Sequence, residues 1–383
     1  MKGLAHLAAL TLAVSCSVLP MQVPTASPTH VTATEVTAVT SPLAPTRVSP
    51  TPPPGEPMPT QTPPALRPEN LGQMRVLHSL AQGDIVRSVA FSPKGELIAT
   101  AGGNDRDFNI RLWNVATGAL ERTLEGHRAI VWNVAFSPDG QLLASASADG
   151  TARVWNVAQG VMTKSLNFPN QVTSVAFSPD GETLAVGGVD RFPSAAVWTW
   201  AVASWKPILK LPEYWNIPSL AFAPDGQVLV GGGTSRNVRV WRTSNGVVVH
   251  VLNHPGQVAD LAISPDGKRV ATALCAQSAD GGCQRGQVWI WDLDRGTLVK
   301  QLGNFGNWAQ AVAFAHDGSI LFAGSQDGTL AAWDSASFAP LPVPAAPASI
   351  EALAVSPDGR YLAIGCDDSN VYLYAVSHLN GSR

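Results

Sequence analysis

The chain has 383 residues, 14% of them charged and 7% aromatic, with a formal net charge of −3. That balance, with no run of Lys or Arg, argues against a platform held to nucleic acid by phosphate contacts, although it leaves room for a local basic patch. Length alone allows two domains, so the organisation has to be read from pattern.

Residues 1–15 read as an export signal. Lys2 supplies the positive start, Leu4 to Val14 is apolar apart from His6 and Thr11, and Ala13-Val14-Ser15 precedes Cys16. The layout also resembles a bacterial lipoprotein box, which implies a lipidated Cys16 at the mature N-terminus. Ala13 stands where that box usually has leucine. Ala13 and Ser15 equally suit ordinary cleavage and free secretion, and an uncleaved anchor is a third alternative, although the stretch is short for a spanning helix. Residues 16–70 form a Pro/Thr/Ser-rich tether, typified by Pro50-Thr51-Pro52-Pro53-Pro54-Gly55, which buries too little apolar surface to fold. A membrane is expected to be met only through the N-terminal lipid, so the location expected is outside the cytoplasm, on a cell envelope or secreted.

Residues 71–383 form the folded part, and one turn recurs through it. It reads Phe91-Ser92-Pro93-Lys94-Gly95, Phe136-Ser137-Pro138-Asp139-Gly140, Phe177-Ser178-Pro179-Asp180-Gly181 and Phe222-Ala223-Pro224-Asp225-Gly226. Three more copies end at Gly267, Gly318 and Gly359, so the closing glycines are 41–51 residues apart. Proline at the second position and glycine at the fourth suit a type I turn between short apolar strands. A period near 40–45 residues built of short strands predicts an all-β fold, a β-propeller.

Each copy has a second fixed point. Trp155, Trp241, Trp333 and Tyr374 stand fifteen residues after their turn glycine. Trp113, Trp200 and Trp291 stand further on, and the extra residues are read as loop insertions in the hairpin before the aromatic. A further turn, such as Trp155-Asn156-Val157-Ala158-Gln159-Gly160, leads to a fourth strand. Four strands in each of seven repeats predict seven blades. The last repeat stops too soon to make its own outer strand. Met74-Arg75-Val76-Leu77-His78-Ser79-Leu80 is expected to supply it and close the ring.

With Trp291-Asp292, Trp333-Asp334 and Gly126-His127, the chain resembles the WD-repeat family over residues 74–378. The resemblance implies a structural hydrogen-bond chain of His127, Ser145, Asp149 and Trp155, which superficially suggests a hydrolase triad but locks a blade together. It also implies that residues four and six before the turn's leading aromatic line the mouth of the central channel. At minus four these are Arg87, Trp132, Thr173, Pro218, Ala259, Gln310 and Glu351. At minus six they are Ile85, Ile130, Gln171, Asn216, Gln257, Trp308 and Ser349. The binding candidates among them are Arg87, Ile130, Trp132, Asn216, Gln257, Trp308, Gln310 and Glu351. Trp132 and Trp308 lie outside the repeat's own aromatic position, and exposed Trp and Arg are the residue types that anchor protein interfaces.

Cys275 and Cys283 lie in the longest insertion and are a disulfide candidate outside the cytoplasm. Asp105, Asp107 and Asn109 have calcium-like alternation but lack the glycine and distal glutamate of an EF-hand, so an ordinary hairpin tip is the preferred reading and no metal is expected. Neither a nucleophile elbow nor a nucleotide-binding loop occurs, so no catalytic residue and no cofactor is expected. The sequence therefore points to a monomeric, non-enzymatic scaffold, displayed outside the cell, that binds a protein or peptide through the channel mouth. A glycan or small-ligand binder is the alternative, and a propeller enzyme is a more distant one.

Overall fold

The repeated turn is the hinge of each blade. In the second copy the Gly140 N–H donates to the Ser137 carbonyl at 2.8 Å. The Ser137 hydroxyl donates to Asp139 at 2.6 Å and accepts the Leu142 N–H at 2.9 Å. Gly140 takes φ +73°, a region that disfavours any Cβ. Val131–Phe136 and Leu142–Ser147 therefore return antiparallel, with Phe136 opposite Leu143. The same serine–aspartate contact recurs at Ser264 and Ser356.

The computed structural model describes residues 62–376, apart from residues 105, 192–193, 215 and 280–281. The expected signal, Cys16 and the tether as far as residue 61 lie outside the described residues. The described residues form seven four-stranded antiparallel sheets. Blade one covers residues 86–124, blade two 131–167, blade three 172–214, blade four 219–253, blade five 258–305 and blade six 309–341. The innermost strands of successive blades touch all the way round, the seventh against the first. The fold is thus a seven-bladed propeller.

Blade seven combines residues 350–376 with Met74–Ala81, which pairs with Asn370–Val376 in the register Met74 to Val376 and Ala81 to Asn370. The packed unit reaches back further than the boundary expected at residue 70. Leu66 and Leu71 are buried in one cluster with Phe322 and Leu330 of blade six and Leu362 and Tyr374 of blade seven. The Leu66 N–H donates to the Gly359 carbonyl at 2.7 Å. Blade six needs this cover, because its outer strand is only Pro340–Leu341.

The insertions are not all loops. In blade three they lengthen the hairpin as Thr183–Arg191 and Ser194–Ala201, and in blade five as Arg269–Ala279 and Gly282–Asp292. Only blade one carries its extra residues between strands. All three insertions rise at the end of the ring where the innermost strands begin.

Between blades the core is apolar, with Trp155 and Trp241 almost fully buried. A polar belt crosses it, three residues before each leading aromatic. Ser88 accepts the Val134 N–H, Asn133 accepts the Val175 N–H, and Ser174 donates to the Ile217 carbonyl. Ser219 donates to Asp260, which accepts the Val312 N–H. The belt is interrupted at Ala311 and Ala352, in blades six and seven.

Candidate ligand-binding cavity

The innermost strands carry a defect in the same place. Pairing with the second strand slips between Val86 and Ser88, Val131 and Asn133, Val172 and Ser174, Val258 and Asp260, Ala309 and Ala311, and Ile350 and Ala352. The residues left unpaired are Arg87, Trp132, Thr173, Ala259, Gln310 and Glu351. A β-bulge re-aims the side chain of its extra residue. In blade four Pro218, which has no N–H to pair, stands at this position just before the strand Ser219–Phe222. All seven residues line one central cavity of about 600 Å³.

Of the eight binding candidates, Arg87, Trp132, Asn216, Gln257, Trp308, Gln310 and Glu351 share this wall. Ile130 does not; its carbonyl accepts the Ala148 N–H at 2.9 Å in the loop behind. In blades seven, one and two the large side chains of Glu351, Arg87 and Trp132 fill the wall at the bulge. In blades three, four and five that position holds the smaller Thr173, Pro218 and Ala259, and the residue two places earlier lines the cavity as well, as Trp308 does beside Gln310 in blade six.

Part of the wall is internally bonded. Arg87 Nη1 donates to Glu351 Oε2 at 2.7 Å, and Gln326 Nε2 donates to the other oxygen at 3.3 Å. The Arg87 guanidinium lies 5.7 Å from the Trp132 ring centroid. This chain runs through blades six, seven, one and two, across the interruption in the polar belt. Burial pushes the Glu351 carboxyl up, against the pull of Arg87. Burial also pushes Asp260 up, to about 6, although Ser219 and the Val312 N–H favour its charged form. The indole Nε1 of Trp132 and the Nε of Arg87 are buried without a hydrogen-bond partner among the described residues.

Gln326 and Asp260 were not among the candidates. Gln326 sits in a hairpin where nothing local marks it. Asp260 was legible as a carboxylate inside the apolar strand Val258–Ile263.

Around the mouth, Cys275 and Cys283 are joined across the blade-five hairpin, with Cα atoms 5.7 Å apart. The Cys275 N–H donates to the Gln257 carbonyl at 3.1 Å. A Cβ on Gly286 would meet the Asn307 carbonyl at 2.1 Å, so the hairpin base lies against the loop that carries Trp308. Cys366 is free and buried, and burial pushes its thiol up to about 12. Asp105 lies outside the described residues. Asp107 accepts from Arg111 at 2.6 Å and from the Asn109 N–H at 3.0 Å, so its carboxylate is occupied within the hairpin.

The four residues of the expected hydrogen-bond chain are joined. Trp155 Nε1 donates to Ser145 Oγ at 2.9 Å, the Ser145 hydroxyl meets His127 Nε2 at 2.8 Å, and His127 Nδ1 donates to Asp149 at 2.8 Å. Burial lowers the His127 pKa, so the ring is neutral. Burial alone would raise Asp149, but hydrogen bonds from His127 and Thr151 hold it well below the usual carboxylate range. Ser145 is fully buried, which leaves its hydroxyl no path to a substrate. Two variants of the chain occur, each with its first member again 18 residues before the hydroxyl. In blade five His254 Nε2 accepts from Thr272 at 2.9 Å and from the Trp291 indole at 3.1 Å. In blade one the Trp113 indole donates to Thr100 at 2.8 Å, and Thr100 donates to Gln82.

The chain matches the WD domain, G-beta repeat in seven segments: residues 74–114, 118–156, 160–192, 205–242, 246–292, 296–334 and 343–374. Over 220 residues, 56% of its length, it is 30% identical to Periodic tryptophan protein 2 of Arabidopsis thaliana. That stretch is 23% of the plant protein, so the chain spans less than a quarter of that relative's length. With seven matched repeats, seven blades and the His127–Ser145–Trp155 linkage, the chain belongs to the WD40 repeat family.

Proposed function

We propose that this chain is a non-enzymatic scaffold, displayed outside a bacterial cell, that captures a protein or peptide segment at the mouth of its central cavity. One observation carries the reading: the bulge residues of the innermost strands converge on a single cavity with two partly exposed tryptophans on its wall. WD40 propellers are platforms for protein interactions, and aromatic residues set in a concave surface are effective anchors. Three features favour display. They are the apolar leader before Cys16, the Pro-rich run behind it, and joined cysteines of the kind that persist in oxidising compartments. The propeller acts as a monomer, tethered through a lipid on Cys16.

The test is capture from the cell's own envelope fraction by the mature protein and by Trp132→Ala and Trp308→Ala variants, with folding checked by circular dichroism. The reading requires a partner lost from both variants; identical captured sets refute it. Metabolic labelling with a fatty acid tests the anchor. Label that persists in Cys16→Ala, or never appears, removes the lipid from the reading.

A further inference from the structure

The cavity wall divides into two arcs with different chemistry. From Gln326 of blade six through blades seven, one and two, the side chains of Gln326, Glu351, Arg87 and Trp132 contact one another, with Arg87 Nε and the Trp132 indole N–H left over. On blades three to six it carries, besides the Gln326 bonded to Glu351, four further side-chain amides, Gln171, Asn216, Gln257 and Gln310, beside Trp308. No hydrogen bond joins the side chains of Gln171, Gln257 or Gln310 to another described residue. Asn216 Oδ1 accepts only the N–H of the next residue at 3.0 Å, and its Nδ2 is unused among the described residues.

We infer that the ligand of this cavity is an uncharged stretch of extended peptide, recognised through its main-chain N–H and C=O groups by the amides of blades three to six. This rests on the reading of the cavity as a peptide-capture site. A carboxamide presents a donor and an acceptor in one plane, as a peptide group does, so the two pair without either carrying charge. One such group stands on each of four successive blades, which suits a chain lying along the arc. A charged side chain entering the cavity loses its hydration and finds no free counter-ion. Arg87 and Glu351 are held by each other, and the Asp260 oxygens hold Ser219 and the Val312 N–H.

A sugar offers hydroxyls to the same amides, but its strongest partners are carboxylates, whose charge-assisted bonds are roughly twice as strong as neutral ones. Both carboxylates on the wall, Asp260 and Glu351, are already engaged. The observations therefore favour a peptide.

The test presents the mature protein with a library of short, end-blocked peptides built from Gly, Ala, Ser, Thr, Val, Asn and Gln. Matched libraries carry one Lys or one Glu at each position, and an array of neutral oligosaccharides forms the third arm. The expected winners are uncharged peptides whose Kd changes by less than about twofold between about 0.05 M and about 0.5 M NaCl. Gln257→Ala with Gln310→Ala is expected to weaken them about tenfold or more. Gln257→Glu, which keeps the side chain's size, serves as the second variant and is expected to weaken them as well.

Winners that require Lys or Glu, or that weaken with salt, overturn the inference while Trp308→Ala still abolishes their binding. In that case the cavity remains the capture site and only its chemistry changes. Oligosaccharides bound in place of peptides overturn the inference in the same way, as does an uncharged library that yields no binder. Ligands that bind equally well to Trp308→Ala overturn the capture site itself.

Discussion

Arg87 in the first blade and Glu351 in the seventh, 264 positions apart, meet at 2.7 Å across the seam where the polar belt between blades is interrupted. Ala311 and Ala352 offer no belt contact there, and the ion pair supplies one. It does so on the cavity wall, so the same two side chains close the ring and shape the mouth. Removing one partner of a buried pair costs about 3–5 kcal/mol, because the other charge is left uncompensated. Arg87 is 23% exposed, which places Arg87→Met nearer about 2 kcal/mol and Glu351→Leu no higher. The double variant is expected to recover more than half of the summed loss. Urea unfolding of all four proteins as a double-mutant cycle checks this; additive losses exclude the coupling.

Two buried groups in blade five titrate in opposite senses. Burial lowers His254 from 6.5 to about 4, so the unfolded chain takes up a proton between those values and the folded one does not. Stability from this term is lost as pH falls from 6.5 towards 4. Burial raises Asp260 from 3.8 to about 6, so there the folded chain holds the extra proton, and stability falls as pH rises from 4 to 6. Each amounts to about 3 kcal/mol over its range, and the two nearly cancel. Wild-type stability is expected to be almost level between about pH 4.5 and 6. His254→Gln is expected to lose stability with rising pH in that window, and Asp260→Asn to gain it. Melting temperatures across the window decide the matter, and parallel profiles for all three proteins contradict it.

Ser145 sits between one donor, the Trp155 indole N–H, and one acceptor, His127 Nε2, neither of which has another partner among the described residues. Ser145→Ala leaves the Trp155 indole N–H and the His127 ring nitrogen unsatisfied, at about 1–3 kcal/mol each. Ser145→Thr keeps a hydroxyl and is expected to retain most of the stability. A chemical-denaturation midpoint for Ser145→Ala within error of wild type excludes a structural role for the chain.

Reduction of Cys275–Cys283 is expected to act locally. Opening so short a loop costs about 2–3 kcal/mol in chain entropy. The effect falls on Gln257, whose carbonyl holds the Cys275 N–H, and on the loop beside Gly286 that carries Trp308. Hydrogen exchange with and without a reductant is expected to show faster exchange at Cys275 and in residues 306–308, with blade two unchanged. Uniform acceleration through all blades contradicts a local role.

The segment before the closing strand is part of the ring. Leu66→Ala and Leu71→Ala are each expected to destabilise by about 2–5 kcal/mol, since both side chains are buried against blades six and seven. A chain starting at residue 74 keeps the closing strand but loses this packing, and is expected to unfold at lower urea than one starting at residue 62. Equal midpoints contradict the packing.

The WD40 family, the count of blades and the mouth register were legible because they rest on short-range pattern. A type I turn needs only Ser-Pro-Asp-Gly in order, and a bulge recurs because each strand copies its neighbour. Counting back from Phe136 or Phe314 therefore reached Trp132 and Gln310 without knowledge of their surroundings. Ile130 lies off the wall: in blades three to six both counted positions line the cavity, but in blades seven, one and two only the nearer one does, a difference that no local pattern marks. Gln326 was invisible because its meaning lies wholly in Glu351, which belongs to the next blade. Leu66 was assigned to the tether because proline and threonine dominate its neighbourhood, and composition does not register one leucine that fills a gap left by a two-residue strand.

By itself, then, the amino-acid order specified what repeats: the turn, the aromatic beyond it, and so the number of sheets. Tertiary structure alone decided what does not repeat: the Arg87–Glu351 seam, the cover that Leu66 gives blade six, and the division of the cavity into an arc of contacting side chains and an arc of free amides. The reason is physical. Turns and strands are set by backbone preferences over a few residues, whereas a side chain's bonding state depends on which distant groups closure of the ring brings within about 3 Å of it.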